Sequence, residues 1–295
     1  MPQYQLKLVD AFTSTPFTGN PCGVITNAAG LSDDQMQKIA REVNASETVF
    51  AFPSPNADFR VRFFTPAREI PMAGHPTVAV MHALVEDGRI PLPGGSAHVT
   101  EETNAGVLDI DISGKPGEVT VRMTQATPQF LALMDRSKVA RALRLDERDL
   151  VAASAPQVVS TGTAQGMIMV RGIEVLRDLR PNFELLAELE SEYASFSTHV
   201  FTTETFEPGN RAHARHFGAN AGVPEDPVTG SATGGMAAYL WKYGHIREPR
   251  YRVEQGDFAG RPGRVDVEVE GDGDQPRVVR IAGTAVTVFE GTIRV

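Results

Sequence analysis

A nonapeptide that occurs twice constrains this chain more than anything else in it. Glu69-Ile70-Pro71-Met72-Ala73-Gly74-His75-Pro76-Thr77 returns 156 positions later as Glu225-Asp226-Pro227-Val228-Thr229-Gly230-Ser231-Ala232-Thr233, keeping the frame E-x-P-x-x-G-x-x-T. A strand-like segment precedes each copy, Phe59 to Phe64 and His213 to Phe217, and a run of small and apolar residues follows, 78–84 and 234–240. One strand–turn–helix unit used twice predicts an internal duplication, and 295 residues leave room for two domains with a core each.

The unit has the chemistry of an anion site. Pro76 suits a first helical position, and Ser231 suits an N-cap with Ala232 and Thr233 opening the helix behind it. Gly74 and Gly230 permit a tight turn and close approach of a ligand to the backbone. A helix N-terminus with free N–H groups attracts a carboxylate or phosphate. One copy alone reads most simply as helix entry. Two copies, with His75 in one and Asp226 and Ser231 in the other, read as ligand binding.

Composition excludes several classes of partner. A net charge of −9 with no basic cluster argues against nucleic acid. No apolar run approaches the roughly 20 residues that span a bilayer, so no membrane partner is expected. Residues 1–6 show neither the basic nor the apolar region of a secretory signal, and the single cysteine rules out an internal disulfide. A cytoplasmic location is therefore expected. No phosphate-binding loop or dinucleotide fingerprint is present. His213 and His216, three apart on a strand, point to opposite faces, so no metal is expected.

Along the chain, Gln5 to Phe12 reads as a strand, and 17–24 as a Gly/Pro loop entering another. Asn20 there is either a polar ligand for substrate or a turn residue. Cys22 reads as a small buried residue, since nothing nearby would lower its pKa. Ser32-Asp33-Asp34-Gln35 is a capping-box start for a helix over 33–44. The strand 45–52 carries Glu47 at its beginning, as the one ionisable residue between Glu42 and Asp58. A solvated loop carboxylate and a catalytic one are both open readings of it. Ser46 to Phe50 matches Ser197-Thr198-His199-Val200-Phe201 at Ser, Val and Phe, which sets Glu47 against Thr198. Strands are expected within 97–123, at 165–170, 251–256, 263–269 and 277–294, with a tip loop at 271–274. Helices are expected near 136–144 and 182–194, and a crossover at 125–130.

With Asp10-Ala11-Phe12, Gly19-Asn20-Pro21, Ser46-Glu47-Thr48, Phe63-Phe64-Thr65-Pro66, both nonapeptides, and Gln255-Gly256 with Gly260-Arg261-Pro262, the chain resembles the PhzF-like isomerases, of the diaminopimelate-epimerase-like fold. The resemblance runs nearly end to end. It implies an α+β fold of two pseudo-symmetric domains, each a curved, mostly antiparallel sheet or barrel around a central helix. The expected domains are 1–123, completed by a C-terminal strand near 285–295, and 124–284, with the active site in a cleft between them. It further implies Glu47 as the catalytic carboxylate, with His75 and Asp226 as catalytic residues that assist it, and Ser231 as a substrate-binding residue. Gly74 and Gly230 would hold a substrate carboxylate, with Asn20 and Ser46 beside it. No cofactor is implied, and a homodimer is expected by family analogy. Racemases of this fold place a cysteine before each turn glycine; here Ala73 and Thr229 stand there, which excludes two-thiol racemisation. The expected activity is a cofactor-independent isomerase shifting a proton on a small carboxylated metabolite with one carboxylate base. The alternatives are an amino-acid racemase or epimerase, or a non-catalytic metabolite- or protein-binding member of the fold.

Overall fold

Both copies of the nonapeptide lead into a helix of 13 residues, and each helix is the centre of its own unit. The computed structural model describes residues 1–220 and 223–295. The chain divides into two units, residues 1–124 with 282–295, and residues 125–281.

The first unit contains β1 (Gln3–Ala11), β2 (Asn20–Ile25), α1 (Asp33–Val43), β3 (Glu47–Phe52), β4 (Phe59–Phe64), β5 (Glu69–Ile70), α2 (Gly74–Glu86), β6 (Ser96–Thr103), β7 (Gly106–Lys115) and β8 (Glu118–Thr124). β1 pairs antiparallel with β2, β2 parallel with β3, β3 antiparallel with β4, and β4 parallel with β6. β6, β7 and β8 follow as an antiparallel meander. The C-terminal strand Gln275–Arg294 pairs with both β1 and β8 and closes the ring into a barrel. α2 is buried from Gly74 to Val85. A helix apolar all round, with Val78, Val80, Met81 and Leu84, has no face to give to water and fills the barrel instead. Each such side chain, fully buried, contributes about 1.5–3 kcal/mol. α1 is amphipathic and starts at the expected capping box, Ser32 with Gln35. It lays Met36, Ile39 and Ala40 against Ile25, Phe50 and Phe64.

The second unit contains β9 (Gln129–Leu133), α3 (Arg136–Leu143), β10 (Gln157–Ser160), β11 (Ala164–Met169), α4 (Ile173–Asp178), α5 (Phe183–Glu192), β12 (Thr198–Thr202), β13 (Ala212–Gly218), β14 (Val223–Asp226), α6 (Gly230–Lys242), β15 (Arg250–Gln255) and β16 (Gly263–Asp272), and it begins β17 (Gln275–Arg294). Its parallel pairs, β11 with β12 and β13 with β15, stand where β2–β3 and β4–β6 stand in the first unit. Its central helix α6 comes close to its strands: a Cβ on Gly235 would lie 2.6 Å from Met167 Cε.

Strand register gives the duplication its true alignment. In the first unit Gly23, Thr48 and Phe64 form one cross-strand row. In the second, Gly166, Thr198 and Phe217 form the same row. Thr198 is therefore the counterpart of Thr48, and Ser197, not Thr198, is the counterpart of Glu47. Matching on Ser, Val and Phe set the pair one residue out.

The letters of the repeat also acquire reasons. Glu69 makes a two-pronged bond with Arg62, and Glu225 does so with Arg215. Arg62 lies 5.3 Å over Phe64 and Arg215 lies 5.1 Å over Phe217. Thr77 and Thr233 donate from their hydroxyls to the carbonyls of Ala73 and Thr229, each at 3.0 Å.

Several expectations need correcting. The N-caps are Ala73 and Thr229, so Ser231 is the second helical residue and Pro76 the third. Helical bonding starts early because Thr233 N–H already reaches the Thr229 carbonyl. β9 occupies the end of the expected crossover, and β10 and α4 have too few residues to show a period. The tip loop is only Gly273 and Asp274.

Candidate active site

In the first unit, β2 and β3 run parallel, so their starts lie together, with Cys22 opposite Glu47. Asn20 opens β2, Ser46 and Glu47 open β3, and His75 arrives from the first turn of α2. His75 Nε2 is 3.2 Å from Glu47 Oε2, with the two side chains 6% and 16% exposed. The pair is close enough to exchange a proton but is not aligned as a formed hydrogen bond. Asn20 Nδ2 is 3.1 Å from His75 Nδ1. Ser46 Oγ donates to Asn20 Oδ1 at 3.0 Å, which fixes the end of the amide that faces the ring. An amide NH2 can only donate, so Nδ1 accepts and the ring proton sits on Nε2, which has Ser46 Oγ at 3.4 Å and Glu47 Oε2 at 3.2 Å. Burial pushes His75 down to about 3. Glu47 thus has a neutral ring beside it, not an imidazolium. Cys22 is fully buried and its thiol is pushed well up by burial and by Glu47, which leaves it inert as a nucleophile.

In the second unit, Thr229 donates its hydroxyl to Asp226 Oδ2. Gln255 braces the turn: its Oε1 accepts from Thr229 N at 3.1 Å, and its Nε2 donates to the Asp226 carbonyl at 2.9 Å and to Thr229 Oγ1 at 3.1 Å. The next residue has to be glycine. Gly256 has φ 91°, and a Cβ there would meet Arg261 O at 2.2 Å and Pro227 O at 2.8 Å. Ser231 Oγ accepts from Gln165 Nε2 at 3.3 Å. Asp226 pairs in register with His216, whose Nδ1 is 3.1 Å from His199 Nδ1. Burial lowers both, His216 to about 3, so two neutral rings share one proton between those nitrogens. His213 faces the other way, onto Glu254 at 2.8 Å.

At their N-termini the two central helices differ from α1, α3 and α5. α1, α3 and α5 are capped by the side chains of Ser32, Asp135 and Asn182. Neither α2 nor α6 has a side-chain cap or an acidic residue in its first turn. Their leading N–H groups are left to other acceptors, in a field that favours an anion by about 0.3–1 kcal/mol per helix end.

The structure thus gathers Asn20, Ser46, Glu47, Gly74 and His75 in the first unit, and Asp226, Gly230 and Ser231 in the second. Sequence reasoning missed the bracing residues Gln165 and Gln255 and the part played by the Thr229 hydroxyl. Gln255-Gly256 was visible as a mark of resemblance; Gln165 gave no signal. Among the described residues no group of three or more His, Cys, Asp or Glu could hold a metal ion, and no helix is long and apolar enough to cross a membrane.

A family model described as phenazine biosynthesis-like protein, PhzC-PhzF, matches residues 9–291. An uncharacterised isomerase of Clostridium acetobutylicum is 37% identical over 300 residues, covering 99% of this chain and 98% of the relative. The trans-2,3-dihydro-3-hydroxyanthranilate isomerase of Pseudomonas chlororaphis is 32% identical over 292 residues, covering 97% of this chain and 98% of that enzyme. The crystal structure of a PhzF-family phenazine biosynthesis protein from Bacillus anthracis matches with a TM-score of 0.91 at 36% identity, covering 100% of both chains. With likeness in sequence and in fold extending over the whole length, the chain belongs to the PhzC-PhzF family of phenazine biosynthesis-like proteins and is an isomerase.

Proposed function

We propose that the protein moves a proton between two carbons of a small carboxylated, unsaturated or cyclic metabolite, with Glu47 as the single base and no cofactor. The observation that carries this reading is the Glu47–His75 contact of 3.2 Å, with the ring held neutral and its protonated nitrogen beside the carboxylate. Glu47 takes a proton from carbon, and the electron pair of the broken C–H bond moves into the conjugated system. Glu47, now the acid, returns the proton to a conjugated carbon on the same face, so nothing is gained or lost overall. His75 Nε2–H steadies the carboxylate form of Glu47 or a polar group of the substrate. The resemblance gives the N–H groups at Gly74 and at Gly230 the task of binding the carboxylate and stabilising the charge that develops. The resemblance gives Asp226, like His75, a hydrogen bond to a substrate amine or hydroxyl and a share of the proton traffic, and gives Ser231 a part in binding the carboxylate.

The relative from Pseudomonas chlororaphis acts on a ring carboxylate, which supports the substrate class and leaves this chain's own substrate open. Ser197, at the place of Glu47 in the second unit, is no second base, and Ala73 and Thr229 cannot serve as proton carriers for racemisation. A cytoplasmic homodimer completes the reading, and sedimentation of the purified protein checks its size. The test of the activity is incubation of a metabolite pool in D2O. One compound should gain a single deuterium with the wild-type protein, also after dialysis against a chelator, and not with Glu47→Gln. Incorporation that requires added metal, or that persists undiminished in Glu47→Gln, overturns the reading.

A further inference from the structure

Glu101, a carboxyl group that the reaction above does not use, lies against the first turn of α2. It sits on β6, fully buried; its Oε2 is 2.9 Å from Thr77 Oγ1, and its Oε1 has no hydrogen-bond partner. Thr77 Oγ1 is also 3.0 Å from the carbonyl of Ala73, the N-cap of α2. A hydroxyl has one proton, and here it meets two oxygens. Both contacts are hydrogen bonds only if the carboxyl carries its own proton, so that Glu101 donates to Thr77 and Thr77 donates to Ala73.

The second unit shows that the fold does not need this acid. Thr233 makes the same bond to the Thr229 carbonyl at 3.0 Å. With Arg62 equivalent to Arg215, the pair Phe59–Glu101 of β4 and β6 corresponds to Ala212–Val253 of β13 and β15. Val253 is buried and supplies only packing. In the first unit a hydrocarbon would avoid the cost of a buried oxygen without a partner, yet an acid stands there.

We propose that Glu101 is a positioning residue, a neutral acid that holds the turn presenting Gly74 and His75 through Thr77 and Ala73, and that its ionisation in alkaline solution releases that turn. The proposal rests on the preceding reading only in taking that turn as part of the site. Burial pushes the Glu101 carboxyl up to about 8. Once ionised, it claims the Thr77 proton, the Ala73 carbonyl loses the hydroxyl, and a negative charge lies close to N–H groups meant for an anion. The residues across from Glu101 on the flanking strands, Phe59 and Leu108, do not titrate. α2 brings His75, held neutral, and His82, which contacts Glu86. The charged residues next along the strands are occupied: Arg60 pairs with Glu102, and exposed Asp109 with His98.

The test needs no ligand. The full chain, carrying glutamate labelled with carbon-13 at the carboxyl, is titrated by NMR from pH 5 to 10 while the amides of Gly74, His75 and Thr77 are followed. One carboxyl should titrate near pH 8 and be missing in Glu101→Gln. The three amides should shift with the same midpoint in the wild type and stay pH-independent in Glu101→Gln, whose NH2 can still donate to Thr77. Glu101→Val, using the residue of the second unit, should likewise remove the pH dependence. The proposal is overturned if no glutamate carboxyl titrates above pH 6.5, or if the amides ignore its titration in the wild type, a result that needs no variant. It is also overturned if their shift survives in either variant. Because no turnover is measured, this outcome is independent of whether Glu47 moves a proton.

Discussion

At the scale of single residues, His75 matters because it is neutral. Asn20 and Ser46 spend their hydrogen-bonding capacity on fixing its tautomer, and burial removes its charge. Glu47 therefore keeps a donor beside it without acquiring a counter-ion that would weaken it as a base. Glu47→Gln should leave the circular dichroism spectrum unchanged and lower turnover by at least about 10²-fold, as expected for a positioned acid–base group. His75→Asn and Asp226→Asn should cost less. Near wild-type turnover by Glu47→Gln, measured on a true substrate, would move the role of base to Asp226. Glu47 and His75 could be singled out from their sequence context. The role of Asn20 could not, because whether it turns the chain or braces a ring depends on a partner 55 residues away.

At the scale of elements, the repeated letters were legible and their exact registration was not. The glycine and threonine of each nonapeptide mark a helix start and a hydroxyl tied to the N-cap carbonyl. Ser231 misleads because its type favours N-caps, while the cap is Thr229, whose hydroxyl is already given to Asp226. The slip between Thr198 and Ser197 has a similar origin: similar letters can align in two ways, whereas strand hydrogen bonds allow one. The paired threonines offer a controlled comparison. Thr233→Val removes one hydrogen bond and should cost about 0.5–1.5 kcal/mol in urea denaturation. Thr77→Val also deprives Glu101 of its partner, and an unpaired buried polar group adds about 1–3 kcal/mol. Equal losses for the two variants would show that Glu101 is not engaged.

For the molecule as a whole, buried titrating groups set opposing slopes of stability against pH. His75, His82, His199 and His216 have their pKa lowered by burial. Below their ordinary value of 6.5 the unfolded chain binds protons that the folded one refuses, so stability falls as pH drops from 6.5. Glu254, held down to about 2 by its His213, Asn210 and backbone bonds despite its burial, loses its contribution as pH falls below 4.5. Glu101 acts oppositely: raised to about 8, its stabilising effect is full below 4.5 and is lost as pH rises to 8. The melting temperature should therefore climb from pH 4 to a maximum near 6.5 and decline toward 8. Glu101→Gln should flatten the decline, and an unchanged decline in that variant would assign it to other groups. None of these slopes was legible in the sequence, since each depends on burial created by the folded units.

The last strand sets an order of events. Arg294 is the register partner of Gln3, and β17 also pairs with β8. A nascent chain emerges with β1 to β8 complete and one stave of their barrel still unmade, and it must produce the whole of 125–281 before that stave appears. Residues 125–281 form one continuous stretch and need no such late arrival. The half that carries Glu47 and His75 is thus begun first and sealed last, and β1 keeps an open edge until β17 leaves the ribosome.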